Sequence, residues 1–248
     1  MNGRVDPGPP DRGRLGRTVR YWVTALVVRS LVGSYLRVRV EGRDRLPVGP
    51  AVLCFSHQNW ADPFILIAAL PLRPRLFFFG PKEEEMRRGV RNRLISWSGM
   101  AVPYRPAKDD LLGATRRAAA VLAAGGRLAV AGEGRIHAGE RVILPLSEGC
   151  AWFALRAGVP VVPVAISGTG WLAFGRTVRV RIRKPILPGG RATRERVDEL
   201  TGRLARSLET LVADVPDRPP PGPFGRWLTE LFNEWPEGAR PGVGGRPR

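Results

Sequence analysis

Short apolar runs alternate along this chain with segments whose apolar residues recur every three or four positions. Ala51 to Phe55, Leu76 to Phe79, Ala101 to Tyr104, Arg127 to Ala131 and Val161 to Ile166 are brief and nearly all apolar, which predicts buried strands. Arg37-Val38-Arg39-Val40 and Val178 to Lys184 alternate instead, and in the second Arg179, Arg181 and Arg183 share one face opposite Val180 and Ile182. Helical spacing runs from Arg17 to about Leu36, from Phe64 to Leu70, from Glu83 to Trp97, from Leu111 to Ala124, from Gly149 to Ala157 and over 192–213. After the prolines of 216–223, Phe224, Trp227, Leu228, Leu231, Phe232 and Trp235 mark a short amphipathic helix.

Strands alternating with helices predict one α/β domain, with a central mixed, mostly parallel sheet flanked by helices. The Pro/Gly/Arg-rich residues 1–16 are expected to be disordered. Residues 17–40 would form an amphipathic membrane-surface helix and the first strand, 41–213 the main domain, and 214–248 a tail carrying the helix of 224–235. Local signals refine this frame. Asp62-Pro63 reads as a carboxylate N-cap followed by proline at the first helical position. Glu83 to Glu85 are a helix start, and Gly125-Gly126 a helix stop. Pro163 is expected at an edge or a bulge.

Composition changes the picture in one respect. Apolar residues make up 44% of the 248, ample for a core, but 40 Lys+Arg against 22 Asp+Glu leave a net charge of +18. Lysines occur only at 82, 108 and 184, so the excess is nearly all arginine. That balance favours an anionic partner: phosphate esters, an acidic lipid surface or nucleic acid. Zinc-finger spacing and aromatic RNA-binding motifs are missing, so a nucleic-acid partner is not expected. Cys54 and Cys150 read as small buried hydrophobes in a reducing compartment. The apolar stretch from Tyr21 to Leu36, interrupted by Arg29, falls short of a spanning helix.

Candidate chemistry centres on His57 and Asp62, in Phe55-Ser56-His57-Gln58-Asn59-Trp60-Ala61-Asp62-Pro63 just past a strand. A carboxylate that takes the Nδ1 proton of an imidazole fixes its tautomer and leaves Nε2 to accept a proton from a hydroxyl. Three further blocks follow in order. They are Gly99 to Arg105, then Gly132-Glu133-Gly134-Arg135-Ile136, then Val159-Pro160-Val161-Val162-Pro163-Val164-Ala165-Ile166-Ser167-Gly168. Each lies on a strand end or the loop after it.

Together the four blocks resemble the glycerolipid acyltransferase family over roughly residues 20–190. The resemblance implies transfer of a fatty acyl group from a coenzyme A or acyl-carrier-protein thioester to a lysophospholipid hydroxyl, with 1-acylglycerol 3-phosphate as first acceptor. It implies no further cofactor, and work at the cytoplasmic face of an anionic membrane surface as a peripheral protein. His57 would be the general base and Asp62 its partner. Arg105 and Arg135 would hold the acceptor phosphate through guanidinium forks. Glu133 would bond the glycerol hydroxyl or position an arginine, and Gly134 would let backbone approach the ligand.

Plainer readings stand beside these. Asp62 could serve as an N-cap alone, and His137 reads as a solvated loop residue. The face of Arg179, Arg181 and Arg183 is most simply solvated. A zinc site at His57, Asp62 and Glu133 would want more His or Cys than the chain offers, so no metal is expected. An acyltransferase for a different lysophospholipid or a non-phosphate acceptor is the alternative within the class, and a basic, non-enzymatic lipid- or nucleic-acid-binding protein the alternative from another. A serine hydrolase would need a Gly-x-Ser-x-Gly elbow, which the chain lacks.

Overall fold

The computed structural model describes residues 12–82, 97–104, 111–137, 139–216 and 218–232. Seven strands form one sheet: β1 (Arg37–Glu41), β2 (Ala51–Phe55), β3 (Leu76–Lys82), β4 (Ala101–Tyr104), β5 (Arg127–Ala131), β6 (Val161–Ser167) and β7 (Thr177–Ile182). Their order is β1-β7-β6-β2-β5-β3-β4, and every neighbouring pair is parallel except β6 and β7. This is the mixed, mostly parallel sheet the pattern predicts. The helices are α1 (Arg12–Tyr35), α2 (Asp62–Ala69), α3 (Leu111–Ala123), α4 (Gly149–Ala157), α5 (Arg194–Val212) and α6 (Pro223–Glu230). The expected helix from Glu83 lies almost wholly outside the described residues.

Strand β2 sits at the centre of the sheet and is buried throughout. Side chains alternate across a strand, so its residues supply both faces. Leu53 and Phe55 enter one core with Ile65, Leu66, Val164 and Ile166, beneath α1 and α2. Val52 and Cys54 enter the other with Leu128, Phe153, Leu204 and Leu208, beneath α3, α4 and α5. Thr193 caps α5, its side chain accepting from Arg196 N at 3.4 Å.

Two expectations are corrected here, the start of α1 and the setting of Arg181. Helix α1 begins at Arg12, five residues before the expected start. Pro163 lies in an interior strand but at an irregularity of the bulge kind expected there: the pairing with β7 runs to Val164 and Ile182 and resumes one residue out of register at Val161 and Ile186. The Pro163 carbonyl accepts from Arg183 N (3.0 Å) just where the β6–β7 ladder ends at Val164 and Ile182, so the missing N–H costs at most one terminal bond. Arg181 is not on a solvated face: it bonds Asp214 and the carbonyl of Leu211 (2.8 Å) and pairs with Glu41 (3.4 Å). That pairing holds Asp214 below the usual carboxylate range.

Helix α1 turns Tyr21, Ala25 and Val28 onto the domain, and the Tyr21 hydroxyl donates to Leu72 O at 3.1 Å. Arg29 donates to Ile67 O (3.1 Å) and Leu70 O, and Arg43 to Ala69 O, so two cations close the C-terminal end of α2. The other side of α1 shows Val19, Val23, Leu26, Val27 and Leu31 to solvent. Helix α6 docks through its small residues: Gly225 and Thr229 are buried, with Leu172 N donating to Thr229 Oγ1 at 2.8 Å. Its aromatic side chains point outward, Phe224 being 61% and Trp227 55% exposed. The helix ends at Glu230, with Leu231 and Phe232 in a turn, and the rest of the expected stretch to Trp235 falls outside the described residues.

Candidate active site

In open α/β sheets the loops after the carboxyl ends of the strands gather the reactive groups. Parallel neighbours β2 and β5 deliver His57 and Glu133 from two such loops. The His57 ring stacks edge-on against Phe55, with centroids 5.5 Å apart, and its side chain is 18% exposed. Its Nδ1 lies 3.0 Å from Asp62 Oδ2. The carboxylate can only accept, so Nδ1 carries the proton and Nε2 has its lone pair free. Among the described residues Nε2 has no hydrogen-bond partner.

Asp62 is wholly buried, and Oδ2 also accepts from Gln58 N (2.7 Å) and Asn59 N (2.8 Å). It is therefore not the N-cap that the sequence suggests. The cap position is Ala61, Asp62 is the first helical residue, and Pro63 follows it. The carboxylate reaches back to order the loop carrying His57. Asn59 finishes that loop by accepting from Ala61 N at 3.0 Å. Ser56 ties it to β6, its Oγ accepting from Ile166 N at 3.0 Å.

A second carboxylate braces the same histidine from behind. Glu133 Oε2 accepts from the backbone N–H of His57 at 2.8 Å, and Oε1 from His137 Nε2 at 2.6 Å. His137 Nδ1 accepts from Gly139 N (3.3 Å), which places the ring proton on Nε2, facing Glu133. His137 N in turn reaches His57 O at 3.4 Å. His137 is thus a buried member of the site's support and not a solvated loop residue.

Comparison with known proteins fits this geometry. The family model for acyltransferases matches residues 37–167, more than half of the chain and all of the loops just described. The chain belongs to the acyltransferase family. Among solved structures, the 1-acyl-sn-glycerophosphate (LPA) acyltransferase PlsC from Thermotoga maritima is similar, with a TM-score of 0.62. The likeness covers 85% of this chain and 86% of that one at 21% identity, which speaks for the fold. No curated protein matches the chain.

The acyltransferase brings five of the six candidate site residues onto two adjoining loops. The side chain of Glu133 is fully buried and both its oxygens are engaged, Oε2 with the backbone N–H of His57 and Oε1 with His137. Gly134 is exposed with φ +67°, and nothing lies within 4 Å of where a Cβ would be. A glycine suits the left-handed turn at this position. Arg135 follows at the exposed tip of the segment 133–137, whose two ends are hydrogen-bonded to His57. It has no partner among the described residues. Arg105 lies outside the described residues.

The last block serves the scaffold. Gly168, with φ +93°, would place a Cβ 2.6 Å from Thr177 O, and its N–H donates to Glu140, as does Gly170 N at 2.6 Å. The two cysteines are buried free thiols. A hydrogen bond with Cys150, together with burial, pushes the Cys54 thiol well up, so it is no thiolate nucleophile. Among the described residues no group of three or more His, Cys, Asp or Glu could hold a metal ion.

The sequence reading missed His137 and Glu140. His137 had one available signal, its place four residues after a site glutamate in a chain with only two histidines.

Proposed function

We propose that this acyltransferase moves a fatty acyl group from a coenzyme A or acyl-carrier-protein thioester to the free hydroxyl of a lysophospholipid. 1-Acylglycerol 3-phosphate, giving phosphatidic acid, is the first acceptor. The observation that carries the reading is a partly exposed imidazole whose Nδ1 proton is held by a buried carboxylate at 3.0 Å.

Nε2 of His57 takes the proton of the acceptor hydroxyl as its oxygen attacks the thioester carbonyl. The buried Asp62 carboxylate offsets the imidazolium that forms. Collapse of the tetrahedral intermediate breaks the carbon–sulfur bond, and the imidazolium returns its proton to the departing thiolate. The products are an ester and a free thiol, and no acyl-enzyme is formed. Arg135, unpaired at the tip of the neighbouring loop, supplies the guanidinium for the acceptor phosphate.

The purified full chain is expected to acylate 1-acylglycerol 3-phosphate in preference to 1-acylglycerol. Arg135→Ala is expected to raise KM for the phosphate-bearing acceptor about tenfold, matching a lost charge-assisted hydrogen bond of about 1.5 kcal/mol. An unchanged KM, or equal use of both acceptors, would point to a non-phosphorylated acceptor instead.

A lipid acceptor also needs a surface to come from. Tyr35 joins Phe174 and Phe224 at centroid distances of 5.9 and 6.4 Å, and Phe224 meets Trp227 at 5.5 Å. This aromatic patch adjoins the His57 loop, because Trp60 Nε1 donates to Leu228 O of α6 at 3.0 Å. It supports peripheral docking on a bilayer, with the acid-free, arginine-bearing α1 favouring anionic lipid. No helix among the described residues is long and apolar enough to cross a membrane. Phe224→Ser/Trp227→Ser is expected to weaken sedimentation with phosphatidylglycerol vesicles about tenfold, as loss of apolar area of this size implies. Vesicle binding equal to wild type would remove α6 from the docking face.

A further inference from the structure

A cavity of about 510 Å³ opens on the α5 side of the sheet and plays no part in the chemistry above. Five cations line it: Arg45 after β1, Arg183 and Lys184 after β7, and Arg203 and Arg206 on α5. No acidic side chain is among its lining residues. Arg203 and Arg206 stand one turn apart on α5, so they face the same space. Arg45 is steadied by donating to Ile182 O at 3.0 Å. Arg183, Lys184, Arg203 and Arg206 have no carboxylate partner among the described residues. The contrast with Arg181, two residues earlier, is direct: that guanidinium is neutralised by Asp214 and Glu41. The hydroxyls at the cavity, Ser207 and Thr210, donate to the carbonyls of Arg203 and Arg206, so donors for a guest come from the cations.

Position separates this cavity from the acyl-transfer site. Ile186, also on its wall, pairs with Val161 at the start of β6, whereas His57 follows the far end of the parallel neighbour β2. The five residues from Val52 to His57 span about 16 Å along the sheet. The cavity also lies in the α5 layer, across the sheet from α1.

Like charges crowded at one opening repel, and an anion with several negative centres relieves them together. Four guanidinium forks around one ammonium match clustered phosphate oxygens better than a single carboxylate. We infer that the cavity formed by Arg45, Arg183, Lys184, Arg203 and Arg206 binds a ligand carrying clustered phosphates, at a second site distinct from that of His57. The inference does not depend on the acyl-transfer reading. The phosphates could belong to a soluble polyphosphorylated molecule or to a multiply phosphorylated lipid headgroup, and one experiment distinguishes these sources.

Titration calorimetry of the full chain with tripolyphosphate forms one arm. Sedimentation with phosphatidylcholine vesicles containing phosphatidylinositol bisphosphate forms the other. Each uses wild type, Arg203→Gln/Arg206→Gln, and a control pair of equal charge, Arg156→Gln/Arg194→Gln, on exposed helix positions outside the cavity. A tenfold or greater loss of tripolyphosphate affinity in the cavity pair, with the control pair like wild type, establishes the site and a soluble ligand. The same selective loss on vesicles alone establishes the site and a headgroup. No binding in either arm, or equal losses in both pairs, overturns the inference, because net charge alone would then explain the data. His57→Ala is expected to bind tripolyphosphate as wild type does.

Discussion

His57→Ala is expected to lower the rate of acyl transfer at saturating substrate by about 10²–10⁴, the usual contribution of a general base. The folded state should barely notice. The ring is partly exposed and among the described residues its only side-chain hydrogen bond goes to Asp62, so the melting temperature should fall by no more than a few degrees. Asp62→Asn separates orientation from basicity. An amide oxygen in place of Oδ2 can still accept from Gln58 N and Asn59 N, so the loop keeps its shape. It lacks the charge that offsets the imidazolium, and if the amide nitrogen faces the ring, Nδ1 must accept and the wrong tautomer results. A loss approaching that of His57→Ala, with unchanged acceptor KM, is the expected outcome. Kinetics on the purified variants, with melting curves recorded alongside, check both statements.

Glu133→Ala carries the second large effect, and it should appear first in stability. Removing the carboxylate leaves the His57 N–H and the His137 Nε2–H buried without an acceptor, at about 1–3 kcal/mol each. A fall of about 3 kcal/mol in unfolding free energy is expected from denaturant titration. Transfer by the folded fraction should drop about a hundredfold, because the His57 backbone loses its anchor while the dyad itself stays intact. Glu133→Gln should lie between, since its single oxygen can satisfy only some of the three donors, His57 N, His137 Nε2 and Leu144 N. A variant with wild-type stability but a raised acceptor KM would instead make Glu133 a direct substrate contact.

Most of the architecture was legible because it rests on periodicity. Buried strands such as Ala51–Phe55 are unbroken apolar runs, and the helix ending at Gly125-Gly126 carries its own stop signal. The dyad was legible for a similar reason: only four residues of chain between His57 and Asp62 leave little freedom in how the two can meet. What the pattern hid were facts of topology. Pro163 signals a break in its own ladder, but not that the partner is β7 or that the pairing resumes one residue out of register at Ile186. Glu133 and His137 reveal their support role only once β2 and β5 lie side by side. Arg181 and Arg183 look equivalent along the strand, yet Asp214, 33 residues after Arg181, neutralises one and leaves the other at a cavity wall. The start of α1 was misplaced because its first turns alternate arginine and glycine, with almost no apolar stripe to read.

The central claim is that an imidazole base at position 57 removes the acceptor proton, and chemical rescue tests it most directly. His57→Ala is assayed with acyl-CoA and 1-acylglycerol 3-phosphate at saturation while free imidazole is raised from zero. The account predicts a rate that starts about 10²–10⁴ below wild type and climbs with imidazole. Wild-type turnover by His57→Ala with no imidazole present would contradict it.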